Sequence, residues 1–327
     1  MNALELVNRV QRRLPGYALS EYLDEVNEAY GDVWDKIIQL DDSYYTDTQV
    51  VTVVQPLAEF DFRWNWNGGL SAPVSNRYFQ IDRIRVLQPG GSNWFAAQPR
   101  FWNDQQFLML QQLTPQQPAQ NAPYLYQLFS RGSVLFSNPL PIGSRIEVVY
   151  TFVYIPLNLT TQGTITNTTS LISGAGTAFT QIIKPDFANA LPNIDTDSDI
   201  ECEFVFGINA IGTPVPQNSI YKVKNIQNDT MAQSWAPLTP NASATNFTLA
   251  MVPDIPESHH RVISTVATRN IMSTPGNDPR FAQWAAMAEE QMIMLQDSIM
   301  QRQRQQPARR QRFSQSVLRY QIAPPGR

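Results

Sequence analysis

The sequence predicts an α+β protein: a helical bundle drawn from both chain termini, an antiparallel β-sheet region, an inserted small all-β domain and an extended C-terminal arm. Three observations predict it. Apolar residues recur at helical spacing within residues 3–40 and again within 257–300. Between about Tyr44 and Ile155 the pattern changes to strand composition and alternation. From 157 to about 252 a Thr-rich stretch punctuated by glycine reads as further short strands. The body is then 1–156 with 253–303, the inserted domain 157–252 and the arm 304–327.

Residues 3–14 place Leu6, Val7, Val10 and Leu14 on one helix face, and Pro15-Gly16 ends the run. Ser20 is the expected cap of a second helix reaching Leu40, with Leu23, Val26, Tyr30, Val33 or Trp34, Ile37 and Leu40 inward. Its outer face is acidic: Glu21, Asp24, Glu25, Glu28, Asp32, Asp35, Asp41, Asp42 and Asp47 stand against the single cation Lys36. Neighbouring like charges on a helix repel by about 0.2–0.5 kcal/mol per pair. An ordinary solvated face explains this stripe, and so does a face that meets a basic partner.

The segments TQVVTVVQP, AEFDFRWNWN, RYFQIDRIRVLQ, YQLF, SVLFS and SRIEVVYTFVYI predict one antiparallel sheet of roughly five or six strands. Ile146–Ile155 reads as its central strand, and the broken phase at Asp82-Arg83 reads as a bulge. Phe60, Phe62, Trp64 and Trp66 alternate as if along one strand. With Arg63 among them they resemble a nucleic-acid stacking platform, but Glu59 and Asp61 favour packing instead. In the inserted domain GTITNTTSLISGAGTAFT reads as two strands joined at a turn, and DIECEFVFGINAIG, SIYKVKNIQNDT and NFTLAMV as more. If its two ends lie close together, such an insertion disturbs the body little.

Pro256 precedes a helix expected over Glu257–Ile271, with Val262, Ile263, Val266, Ala267 and Asn270 near one side. After a turn at 273–278, Asp278 caps the last helix. Its Phe281, Trp284, Ala288, Met292 (or Gln291), Leu295 and Ile299 recur in steps of three and four. From Ser298 onward there are seven arginines and no acidic residue, so that stretch is expected to order only on a partner.

Composition narrows the chemistry. The net charge of -4 on 327 residues implies no particular partner. A single cysteine, Cys202 inside a strand, excludes a disulfide framework and a cysteine-based metal site. Neither a signal peptide nor a bilayer-length apolar run is present, so an intracellularly made, soluble protein is expected. No phosphate-binding loop, dinucleotide fingerprint or nucleophile elbow occurs. His259 and His260, being adjacent, diverge and do not converge on one metal. Asp195, Asp197 and Asp199 offer hard oxygen ligands without an EF-hand pattern, so a solvated loop is preferred. No catalytic residue, cofactor or metal is expected. For the C-terminal stretch three readings compete: phosphate neutralisation on nucleic acid, a solvated end, and an interaction arm anchored by Phe313, Val317, Leu318 and Tyr320. The apolar spacing favours the arm.

The order of segments resembles the head-to-tail adaptor, or connector, proteins of tailed bacteriophages. The matching parts are ELVNRVQRRL, LDEVNEAYGDVWDKI, YFQIDRIRVL, VVYTFVYIP, PDIPESHHRVISTVATRNI and DPRFAQWAAMAEEQMIML, in that order, over about two thirds of the chain. Asn27-Glu28-Ala29-Tyr30 and Pro256-Glu257-Ser258-His259 stand where such proteins carry an early Asn-Glu-Ala-Tyr helix and a Pro-Glu-x-x-His start. The segment 163–180 looks like a β module of phage structural proteins.

The resemblance implies a non-enzymatic virion protein made in the host cytoplasm. It would form a ring of twelve copies between portal and tail, bind tail-tube, nozzle or other neck proteins, hold packaged DNA in, and touch it transiently in the channel without any membrane contact. It implies a portal contact through Arg309, Arg310, Arg312, Phe313, Leu318, Arg319 and Tyr320. Glu21, Asp24, Glu28, Asp32 and Asp35 would then line the channel or an inter-subunit face. The inserted domain exceeds what a minimal adaptor needs. A carbohydrate- or surface-binding tail accessory, and a nucleic-acid binder acting through the basic tail, are the alternative readings.

Overall fold

A computed structural model describes residues 1–41, 44–63, 65–74, 78–100, 124–128, 133–167, 169–182, 194–195, 201–206, 219–238, 243–273 and 279–305. It is a mixed α+β fold with helices at both ends and two sheets between them. The chain divides into two compact units, Met1–Asp41 with Tyr154–Ala308, and Asp42–Val153. The helices therefore group with the second sheet, whereas the sequence reading grouped them with the first.

In the helical unit, α1 (Ala3–Arg13) starts at a capping box. The Asn2 side chain accepts the Glu5 N–H at 3.0 Å, and the Glu5 carboxylate accepts the Asn2 N–H at 3.1 Å. Leu4, Leu6, Val7 and Val10 are buried along one face. α2 (Leu19–Leu40) starts earlier than predicted: its N-cap is Ala18, not Ser20. Alanine has no capping oxygen, so the order comes from neighbours. Glu21 accepts the Ala18 N–H at 2.7 Å, and the Tyr22 hydroxyl takes the Tyr17 N–H while donating to Leu14 O. Val26, Tyr30, Val33, Trp34 and Ile37 are buried as expected, but Tyr22 and Ala29 take the inward places expected of Leu23 and Leu40, both only partly covered.

At the other end, Glu257–His259 forms a 3-10 turn, and the α-helix proper, α3 (His260–Ser273), begins three residues later than predicted. α4 (Phe281–Gln305) follows and runs past the boundary placed at 303. The turn at 274–278, including the Asp278 cap, lies outside the described residues. Ala288, Leu295 and Ile299 are buried in α4, whereas Phe281 is exposed. Arg13 joins three helices: it donates to Ser264 O at 3.1 Å and to Thr268 Oγ1 at 3.2 Å, and its guanidinium lies 4.6 Å from the centre of the Trp284 ring. Chain ends some 250 residues apart are thus one packed layer. No helix among the described residues is long and apolar enough to cross a membrane.

The same unit contains a sheet of short antiparallel strands. In chain order they are β8 (Leu159–Thr160), β9 (Thr164–Asn167), β10 (Leu171–Ala175), β11 (Ile194–Asp195), β12 (Cys202–Phe206), β13 (Ile220–Asn228), β14 (Met231–Ser234) and β15 (Phe247–Met251). Their spatial order is β8-β15-β12-β13-β14-β10-β9, with β11 beside β13. The sheet curls so that β9, at one end, meets the chain leading into β15, next to the other end: Ile165 exchanges both backbone hydrogen bonds with Thr245. Phe179, Phe204 and Phe247 fill the curl, edge to face at 5.6–5.7 Å. The predicted Thr-rich hairpin is β9–β10; β14 escaped the sequence reading.

The second unit holds β1 (Thr46–Thr52), β2 (Glu59–Asp61), β3 (Tyr78–Leu87), β4 (Trp94–Pro99), β5 (Tyr124–Leu128), β6 (Ser133–Phe136) and β7 (Arg145–Phe152), in the order β1-β7-β3-β4-β5-β6-β2. It is larger than predicted and not wholly antiparallel, because β4 and β5 run parallel. β7, expected to be central, lies one place from the edge, between β1 and β3, and Asp82 is the extra residue of a bulge between Ile81↔Tyr150 and Arg83↔Val149. The aromatic alternation is a turn, not a long strand. Asp61 accepts the Arg63 and Trp66 N–H groups, and Asn65, at φ 52, pairs with both backbone groups of Leu70. Phe60 and Phe62 are buried, Trp66 is 82% exposed, and Trp64 lies outside the described residues.

Candidate interaction surfaces

The Asn27-Glu28-Ala29-Tyr30 stretch of α2 does three things at once. Asn27 points inward and pairs with both backbone groups of Leu157: its Nδ2 donates to Leu157 O at 3.0 Å, and its Oδ1 accepts the Leu157 N–H at 2.6 Å. Tyr30, one turn on, accepts the Asp254 N–H at 2.8 Å through its hydroxyl. The stretch 157–252 therefore leaves and rejoins the helical layer at adjacent side chains. Ala29 is fully buried, and Glu28 points out into the acidic stripe.

That stripe is a real exposed face. Glu21, Asp24, Glu28, Asp32 and Asp35 are all exposed. Partial burial, then Glu28 and Asp24, raise the carboxyl of Glu25 beside them. Partial burial also raises Asp32, against the pull of Arg269, whose Nη2 lies 3.7 Å from it. Gly31 leaves room for Tyr154, since a Cβ there would sit 2.7 Å from the tyrosine oxygen. Tyr154 in turn packs edge-on to Tyr30 at 4.9 Å.

A basic cluster, missed in the sequence reading, lies on α1 and α3. Arg9, Arg12 and Arg13 recur at i, i+3 and i+4, so they share one face. Burial and then Arg261 lower the guanidinium of Arg9, with Glu5 opposing. Burial, Arg9 and Arg12 lower that of Arg13. The three arginines of α1 rim a shallow hollow of about 310 Å³. Beside it an open cleft of about 560 Å³ sets Glu5, Glu203 and Glu257 against Arg9 and Arg261. Glu203 of β12 accepts a hydrogen bond from Asn2 Nδ2 at 2.8 Å, and burial raises its carboxyl. No protein-family model matches this chain, and no curated protein matches it.

The cleft's charges are interleaved. The two histidines act as ties between elements. His260, 2% exposed, places Nδ1 3.0 Å from the Met1 amine and Nε2 2.9 Å from Ile255 O. An amine donor on Nδ1 leaves Nε2 as the N–H that donates to Ile255, which is the neutral ring, and burial followed by the Met1 charge lowers its pKa accordingly. His259 Nε2 lies 3.1 Å from Ser298 Oγ on α4. Cys202 is fully buried in β12, and burial pushes its thiol up. Among the described residues no three His, Cys, Asp or Glu side chains are grouped to hold a metal ion. Asp197 and Asp199 lie outside them, as do the arm residues Arg309, Arg310, Arg312, Phe313, Leu318, Arg319 and Tyr320.

Proposed function

We propose that this chain is a structural protein of the tailed-bacteriophage neck. Copies assemble into a ring of twelve between portal and tail, retain the packaged genome, and form part of the ejection channel. One observation carries the reading. The four helical segments on which the adaptor resemblance rests come from opposite ends of the chain, and they pack as one layer, α1 to α4, in a single unit. The Asn-Glu-Ala-Tyr segment supports it further, because its side chains fasten both ends of the β module to that layer. The arm 304–327 reaches the portal through its arginines and the apolar Phe313, Leu318 and Tyr320. Tail-tube or nozzle proteins take the opposite side.

The test is electron microscopy of the purified chain mixed with the portal protein encoded beside it. Rings capping the portal are expected, and a chain lacking 304–327 should keep its melting temperature yet fail to cap. Full-affinity capping by the truncated chain would refute the arm's role, and no capping by the intact chain would refute the neck assignment.

A further inference from the structure

We propose that copies of this chain join head to tail, the arginine cluster of α1 and α3 on one copy seating the acidic stripe of α2 on the next. The inference deepens the ring reading above and rests on it for closure of the contacts into a ring.

Arg12, Arg261 and the five carboxylates of the stripe are exposed, and Arg9 and Arg13 are half-buried. Glu5, Glu203 and Glu257 stand beside the arginines without an ion pair to Arg9, Arg12 or Arg261 among the described residues. Among the described residues Arg9, Arg12 and Arg261 make no ion pair, and only Arg269 reaches the stripe, at Asp32. The charges acting on Arg9 and Arg13 come from α1 and Arg261, whereas those acting on Glu25 and Asp32 come from α2 and Arg269. No ion pair among the described residues joins the two sets within one chain, which leaves each to a second molecule.

The shapes agree with that partner. Glu21, Asp24, Glu28, Asp32 and Asp35 form a single row at steps of three and four, about 21 Å long at the helical rise. Arg13 is held from beneath by Ser264 and Thr268, which fixes the floor of the arginine hollow. The two faces also carry minority charges of the opposite sign: Lys36 and Arg269 beside the acids, Glu5, Glu203 and Glu257 beside the arginines. A polyanion such as duplex DNA meets those carboxylates, and a chain of net charge -4, with nothing to offset them. Because the two surfaces differ, the contact is heterologous, the kind that propagates into rings or filaments.

The test uses the full chain and sedimentation velocity at about 50 mM and about 500 mM salt, a range over which exposed charge pairs are progressively screened. The wild type should associate at low salt and fall apart at high salt. Arg9→Glu with Arg12→Glu, and separately Asp24→Lys with Glu28→Lys, should each weaken association by about tenfold or more, or roughly 1.4 kcal/mol, with the circular dichroism melt unchanged. An equimolar mixture of the two variants should associate again, since each then offers the face the other needs. A monomeric wild type at low salt overturns the inference, even if rings still form on portals. Association that ignores both reversals overturns it while leaving the ring intact. Duplex DNA binding lost with Arg9→Glu/Arg12→Glu, with association unmoved, assigns the cluster to nucleic acid instead.

Discussion

Replacing Asn27 by alanine tests how the β module is fastened to the helices. The change removes the donor and acceptor that hold Leu157 O and Leu157 N, on a residue only 1% exposed. A buried polar group left without its partner costs about 1–3 kcal/mol. Two such groups, partly reached by water once the side chain is gone, put the loss at about 2–4 kcal/mol. That is a large share of the roughly 5–15 kcal/mol a domain has to lose. For a unit of this size it lowers the melting temperature by about 4–16 °C. Tyr30→Phe keeps the ring stacked on Tyr154 and deletes only the oxygen that accepts the Asp254 N–H. It should cost about 1 kcal/mol. Because the two side chains sit one turn apart and hold the two ends of one module, their effects should couple by about 0.5 kcal/mol or more in a double-mutant cycle. Urea unfolding supplies the energies, and amide exchange at Leu157 and Asp254 reports local release. An Asn27→Ala loss below about 0.5 kcal/mol, with exchange at Leu157 unchanged, would refute the reasoning.

Two further outcomes follow from the helical layer. Burial holds the folded-state pKa of His260 below its ordinary 6.5, so acid protonates the unfolded chain first. Stability should be full above about pH 6.5 and fall as pH drops from there toward the folded value. Glu203 works in the opposite sense at lower pH, because its raised carboxyl takes a proton more readily when folded. Urea midpoints across pH 5.5–7.5 should slope in the wild type and flatten in His260→Gln, with about 6.5 as the upper edge of the window. Gly31→Ala should destabilise by about 1–2 kcal/mol, because its Cβ meets the tyrosine oxygen wedged between Tyr30 and Trp34. In a Tyr154→Phe background the same change should be milder, because the nearest ring carbon then stands 3.3 Å from the Cβ and alanine's helix-propensity advantage of about 1 kcal/mol offsets part of the cost in thermal melts.

What the sequence revealed follows the range of the interactions involved. α1, α2 and α4 were legible because their apolar rows repeat at helical spacing, and the bulge at Asp82 because one residue shifts a strict alternation. The start of α2 was misplaced because Ser20 is a good cap by type, while Glu21 and Tyr22 act on Ala18 and Tyr17 from inside the helix. The run from Phe60 to Trp66 misled because Asp61 and Asn65 satisfy the backbone locally and bend it. β14, MAQS, carries no β-branched or aromatic residue, and β4, WFAAQP, has strand formers only in its first two positions, so pairing with their neighbours largely makes them strands. The acidic stripe could be read off its spacing, and the arginines of α1 could have been. Arg261 joins them only through folding across some 250 positions, and the partners of Asn27 and Tyr30 are equally remote in sequence.

The bond between Ile165 and Thr245 has a consequence for crowded conditions. Most open sheets end in strands whose bare amides and carbonyls invite a foreign segment to add on. Here β9 turns back onto the approach to β15, and the amide and carbonyl of Ile165 are already taken. A ribbon pinned to itself at that point offers a passing strand a shorter run on which to begin, with only the two-residue β8 at its other end.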